Sequence, residues 1–226
     1  MKQLLSFSLA FLFLTVGYCQ KKYDVVLPSD YTNSQSYPLF IVFHGGNGNK
    51  KDMQTWWTSD RLSKEFIVAY FEATTLDNRP NRWGWRNLPK ERVNIKQYYT
   101  QIINSYSINT NQVYVGGFSL GGKMSIDLAL NQIIPVKGLI SLNHGGGTTK
   151  YFTSENIEKA ASTNMKVVLL SGERDYRYQK ETLKIKKQFE TFKLQHQFIE
   201  IKGLGHASPK NFSKMLDTYI DYLIKF

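Results

Sequence analysis

Ser119 stands in the run Gly117-Phe118-Ser119-Leu120-Gly121-Gly122. The β-rich segment Gln112–Gly116 precedes it, and an apolar helical pattern at Met124, Ile126, Leu128, Ala129 and Leu130 follows. A serine between a strand and a helix, with glycine two residues away on either side, suits nucleophilic chemistry. The tight turn holds the serine in strained backbone and projects Oγ from the sheet. The glycines remove side chains where strand and helix nearly collide, and the helix N-terminus brings free N–H groups and positive dipole to the hydroxyl. Phosphate binding would need Gly-x-x-x-x-Gly-Lys-Ser/Thr, which the sequence lacks; Gly45–Lys50 does not fit that spacing.

A serine hydroxyl is a weak nucleophile and requires a base, itself oriented by a third group. For a serine presented this way the partners follow in the order carboxylate, then histidine. Of the four histidines, His44 precedes Ser119 and reads as structural, and His196 opens a predicted strand. His144 follows the strand after the serine helix and lies at the end of the sheet that could line the site, but its acid would then have to precede it in the chain. His206 lies in the glycine-flanked loop Gly203-Leu204-Gly205-His206, which can swing an imidazole over the serine, and it is the expected base. Glu173 and Asp175 follow the run Lys166–Ser171 and compete for the acid position. Asp175 lies further into the loop and is the expected partner of His206, leaving Glu173 to an ion pair with a nearby Lys or Arg.

Charge developing on a substrate oxygen needs two positioned donors. One is the backbone N–H of Leu120, the residue after the nucleophile. The other comes from the loop His44-Gly45-Gly46-Asn47-Gly48, with Gly46 preferred and Gly45 next. Trp56 and Trp57 follow this loop, and Trp83, Trp85 and Arg86 lie in Asn81-Arg82-Trp83-Gly84-Trp85-Arg86-Asn87. Trp57, Trp83 and Trp85 are read as stacking surfaces for an aromatic or sugar ring and Arg86 as a partner for a carboxylate. The competing reading makes the tryptophans anchors of their loops.

The elements that must carry these groups alternate along the chain. Tyr23–Leu27, Leu39–Phe43, Ile67–Phe71, Gln112–Gly116, Gly138–Leu142, Lys166–Ser171 and Gln197–Ile201 are short β-rich apolar runs. Such runs suit strands covered on both faces. Ile95, Tyr98, Tyr99, Ile102, Ile103 and Tyr106 recur at helical spacing, and Lys184–Leu194 reads as a charged surface helix. Phe212, Met215, Leu216, Tyr219, Ile220 and Leu223 form the face of a last helix, expected to open with Ser208 as N-cap and Pro209 at its first position. Strand–helix alternation predicts a doubly wound, mostly parallel sheet with helices on both faces and the site at the carboxyl ends of the strands.

Composition narrows the classes. A chain of 226 residues, 42% of them hydrophobic, suffices for one domain with a sizeable core. A single cysteine excludes a disulfide framework and a multi-thiolate zinc site. Met1-Lys2-Gln3, the uncharged apolar stretch Leu4–Tyr18 and small residues at Gly17 and Cys19 read as a signal peptide over residues 1–19, with a single domain over 20–226. The chain is therefore expected to be exported to the periplasm or the extracellular space; the bulky Tyr18 argues against a lipid anchor on Cys19. The apolar stretch falls short of the ~20 residues of a spanning helix. The net charge of +11 raises the question of a polyanionic partner. Much of it lies on predicted surface helices, which argues against nucleic acid, while Arg79, Arg82, Arg86, Lys90 and Arg92 could steer an acidic ester.

His44-Gly45-Gly46, the Ser119 run, Gly172-Glu173-Arg174-Asp175 and Gly205-His206 occur in order, and together they resemble an α/β-hydrolase-fold serine esterase over roughly Tyr23 to Phe226. Within that superfamily the chain is similar to the phospholipase/carboxylesterase group and to the polyhydroxybutyrate depolymerase and feruloyl esterase-like group. Asn109 departs from the Asp often found at its position. The resemblance implies hydrolysis of a small-molecule or carbohydrate-linked ester through an acyl-enzyme, with no metal and no cofactor. The 23 residues between Leu142 and Lys166 are few for a separate lid domain plus the usual helix, so an open site is expected. Amide cleavage by the same triad and a non-catalytic binding protein are the alternatives.

Overall fold

The computed structural model describes residues 22–77 and 79–225. The leader expected over residues 1–19 lies outside the described residues. Seven strands form one sheet: β1 (Tyr23–Val26), β2 (Tyr37–Phe43), β3 (Ile67–Phe71), β4 (Ile108–Phe118), β5 (Gly138–Leu142), β6 (Lys166–Gly172) and β7 (Gln195–Ile201). Their order is β1-β3-β2-β4-β5-β6-β7, parallel throughout except that β1 runs antiparallel to β3. The helices are α1 (Lys50–Gln54), α2 (Asp60–Glu65), α3 (Leu88–Ser105), α4 (Leu120–Leu130), α5 (Ser154–Ser162), α6 (Gln179–Thr191) and α7 (Phe212–Ile224).

Side chains alternate across a strand, so an unbroken apolar run must be covered on both faces. In β2, Leu39, Ile41 and Phe43 face the core made with α3, α4, α5 and α6, whereas Phe40 and Val42 face the core made with α1, α2 and α7. The stripe read in α3 sits on the first face, where Ile95, Tyr99 and Ile102 are buried, and the stripe of α7 closes the second. Helix α4 is buried from Gly121 to Leu130, charges included. Its Asp127 accepts from Nε of Arg92 at 2.8 Å, which ties α3 to α4 and raises the guanidinium's pKa.

Several boundaries differ from expectation, among them α6, which covers Gln179–Thr191 rather than Lys184–Leu194. Strand β4 starts at Ile108, pairing with Tyr37 through a polar stretch that contains Asn109. Helix α7 starts at Phe212 with Asn211 as its cap residue, not at Ser208-Pro209. Phe212 N–H donates to Pro209 O, closing a turn before the helix, so Ser208 and Pro209 belong to the His206 loop. The segment between β5 and β6 holds a 3-10 turn at Thr148–Lys150 and helix α5.

Candidate active site

Strands β4, β5 and β6 end side by side, and their carboxyl ends carry the polar groups. At the end of β4, Ser119 has φ 54° and ψ −117°, a conformation that costs a non-glycine residue strain and aims its side chain off the sheet. The flanking glycines are required by close approach. A Cβ on Gly121 would lie 2.1 Å from the Phe43 carbonyl oxygen, and one on Gly117 would lie 2.5 Å from the Gly121 carbonyl carbon. Strand and helix can meet at this distance only without side chains. The turn is further fixed by backbone bonds from Ser119 N–H to Leu142 O and from Gly145 N–H to Ser119 O.

The serine and the acid expected to act together each lie within hydrogen-bond distance of the histidine. His206 Nε2 is 2.8 Å from Ser119 Oγ, and His206 Nδ1 is 2.7 Å from Asp175 Oδ2. A carboxylate only accepts, so Nδ1 carries the proton and Nε2 is left to accept from the serine hydroxyl. Asp175 is buried at 2% exposure, and its second oxygen has no partner among the described residues. The imidazole lies between the rings of Phe118 and Tyr178, with centroids at 5.1 and 4.9 Å. Glu173 sits apart from the imidazole, and its Oε2 accepts from Gly203 N–H at 2.6 Å. It pins the far side of the His206 loop rather than an arginine or lysine.

The loop after β2 lies against the start of α4. A Cβ on Gly46 would touch Leu120 Cδ1 at 3.0 Å, and one on Gly45 would be 3.4 Å from Ser119 Cβ. Among the described residues, no protein acceptor takes the N–H of Gly46 or of Leu120. His44 is fully buried beneath this loop, with Nδ1 2.6 Å from Gly45 O and Nε2 accepting from Ala73 N–H at 3.1 Å. Burial pushes its pKa down to about 4, so it is neutral at pH 7. His144 is also buried and held low by burial, bonded to Thr148 and Thr182. His196 Nδ1 meets the Leu194 carbonyl.

The expected substrate surface needs correction. Trp57 is fully buried, packed on Phe40 and Phe212 and over Gly116, so it cannot stack on a ligand. Trp85 is 2% exposed and donates Nε1–H to the His44 carbonyl at 2.8 Å. Trp83 bridges Gly48 and Leu76, and Lys22 covers its ring at 3.2 Å. Arg86 pairs with Asp77, whose Oδ2 accepts from Asn47 N–H. Asp77 and Trp83 therefore brace the Gly45–Gly48 loop. Arg82 and Arg92 pair with Asp52 and Asp127, so three of the five basic residues proposed to steer an anion are neutralised. Of the two tryptophans after the Gly45–Gly48 loop, Trp56 rather than Trp57 is half-buried, and its ring packs edge-on against Phe118 at 6.0 Å.

Residues 86–224 match the phospholipase/carboxylesterase family, a stretch that runs from the start of α3 to the end of α7 and includes Ser119, Asp175 and His206. Feruloyl esterase D of Neurospora crassa is 26% identical over 130 residues, which cover 53% of this chain and 43% of that protein. The chain thus spans less than half the length of that relative. An uncharacterized protein from Bacillus cereus ATCC 10987 superposes with a TM-score of 0.78 at 22% identity over 88% of this chain and 63% of that one. A ferulic acid esterase follows at 0.70 and 15% identity, covering 89% of this chain and 91% of its own. S-formylglutathione hydrolase from Staphylococcus aureus gives 0.66 at 15% identity, covering 90% and 92%. At these identities the structural likenesses establish the fold, a seven-stranded α/β-hydrolase sheet. With the family match over more than half its length, the chain belongs to the phospholipase/carboxylesterase family of α/β-hydrolase-fold enzymes.

Proposed function

We propose that the protein is a serine carboxylesterase, exported from the cell, that works through an acyl-enzyme. The observation that carries this reading is the continuous hydrogen-bonded line from Ser119 Oγ through His206 to Asp175. Ser119 Oγ attacks the ester carbonyl as His206 Nε2 takes its proton. Asp175 holds the imidazole in the tautomer that can accept and stabilises the imidazolium without taking its proton. The N–H groups of Leu120 and Gly46 receive the oxyanion, helped by the positive end of α4. His206 then protonates the leaving alkoxide, and the same base activates water to release the acid.

The names of two relatives, a feruloyl esterase and a ferulic acid esterase, direct the choice of substrate to aromatic esters. The row Trp56, Phe118 and Tyr178 beside His206 supports an aromatic group on one side of the scissile bond. The test compares acetyl, long-acyl, feruloyl and acetylated-sugar esters and a matched anilide on the wild type and on Ser119→Ala. Ester cleavage lost in Ser119→Ala is expected; full cleavage by that variant, or a preference for the anilide, would overturn the assignment.

A further inference from the structure

Asn143 follows β5 directly, at the point where the strand ends meet. It is 1% exposed and has φ 45°, a left-handed conformation that asparagine tolerates better than most residues. Every polar group of its side chain is used. Oδ1 accepts from Gly172 N–H at 2.7 Å, at the end of the strand that leads into Asp175. Nδ2 donates to Gly205 O at 3.2 Å and to Ala207 O at 3.0 Å, the two carbonyls on either side of His206. Its neighbour Leu142 accepts from Ser119 N–H, and its own N–H donates to Leu170 O of β6. One buried amide thus joins the acid-bearing strand, the histidine loop and the strand beside the serine turn.

We propose that Asn143 is a positioning residue, acting through His206: it sets the height of the imidazole between Ser119 and Asp175. This rests on the assignment of His206 as the base. The loop it holds has little else. His206 and Ala207 are exposed, and besides the His206–Asp175 bond itself the ties of the loop to the acid-bearing segment come from Arg174 N–H to Leu204 O and from Glu173 to Gly203. Both of those lie before His206, so the two carbonyl bonds of Asn143 are the ones that flank the imidazole. An asparagine provides one acceptor and two donors on a rigid plane, which matches the demand here. Aspartate retains the acceptor but turns an oxygen toward two carbonyls. Alanine leaves the buried Gly172 N–H and the Ala207 carbonyl without these partners, while Gly205 O keeps only the Ala207 N–H.

The test measures steady-state hydrolysis of one ester by Asn143→Ala and Asn143→Asp, alone and combined with His206→Ala. Misplacing a catalytic group by about 1 Å costs on the order of 100-fold, so kcat of either single variant is expected to fall about 100-fold with KM within about threefold. In the His206→Ala background the same substitution is expected to have no further effect, because the group through which it acts is gone. Thr182→Val, which breaks the buried contact with His144 away from the histidine loop, is expected to lower the thermal midpoint while leaving kcat intact. If Asn143→Ala does not fold, the isosteric Asn143→Asp carries the measurement. Unchanged kcat, a further loss in the His206→Ala background, or an equal loss in Thr182→Val would overturn the proposal. Retention of full activity by His206→Ala alone would instead overturn the assignment of the base.

Discussion

Replacing Asp175 by asparagine removes a charge from the centre with almost no change of shape. Asp175 is 2% exposed and its Oδ2 lies 2.7 Å from His206 Nδ1. As His206 takes the serine proton, an imidazolium forms beside this carboxylate. Charge centres about 4 Å apart attract by about 4 kcal/mol at an effective dielectric constant near 20, a value suited to an imidazole still in contact with solvent. Asparagine leaves only a dipole there, and its amide can present N–H to Nδ1 and so favour the tautomer that cannot accept from Ser119. At about 1.4 kcal/mol per decade, kcat/KM should fall roughly 1000-fold. The assay is hydrolysis of p-nitrophenyl acetate, with Ser119→Ala as the floor. The thermal midpoint should not fall, because Asp175 Oδ1 is buried without a partner among the described residues, and losing that charge relieves a desolvation cost. A loss below tenfold, or an equal loss in Glu173→Gln, would refute this assignment of the acid.

Three further outcomes follow from the same geometry. Trp57→Ala should destabilise the protein by about 3–5 kcal/mol in urea unfolding without altering substrate preference, whereas Trp56→Ala should raise KM for feruloyl esters over acetyl esters. A neutral buried His44, with its pKa down to about 4, binds no proton where the unfolded chain does. Stability should therefore fall by about 2 kcal/mol as pH drops from 6.5 to 5, with His144 acting in the same direction; a flat profile, or one unchanged by His44→Gln, would contradict this. Because Arg82, Arg86 and Arg92 are paired with carboxylates, kcat/KM for anionic and neutral esters should respond alike to added salt between pH 7 and 8; a loss confined to the anionic ester would restore the steering idea.

The parts of the fold that are legible in the sequence are those set by burial. The inner strands β2, β3, β5 and β6 and the second half of β4 coincide with apolar runs because each is covered on two faces, whereas the edge strands β1 and β7 are only partly covered. The start of β4 is hidden because Asn109, Thr110 and Asn111 form an irregular polar stretch between the paired residues Ile108 and Val113 and leave no apolar signal. The direction of β1 was hidden too, since parallel and antiparallel strands read alike side chain by side chain. The start of α7 was misplaced because Ser208-Pro209 has the chemistry of a helix cap, yet the His206 loop takes both residues.

In the site, Ser119, Asp175 and His206 could be picked out because each stands just beyond a strand, in a glycine-rich context and in a fixed chain order. Which of Trp56 and Trp57 is buried could not be read, because they lie past the end of α1 where no period assigns a face. The pairing of Arg86 with Asp77 joins residues nine apart in an irregular loop, and nothing local distinguishes it from a free guanidinium. Asn143 looks like any turn residue after a strand; its three bonds reach 29, 62 and 64 residues along the chain.

The most direct test of the account is the mass of the intact protein after treatment with a fluorophosphonate. One adduct per chain, mapped to Ser119 and formed far more slowly in His206→Ala, is the predicted result. Labelling at another residue, or an unchanged rate in His206→Ala, would contradict it.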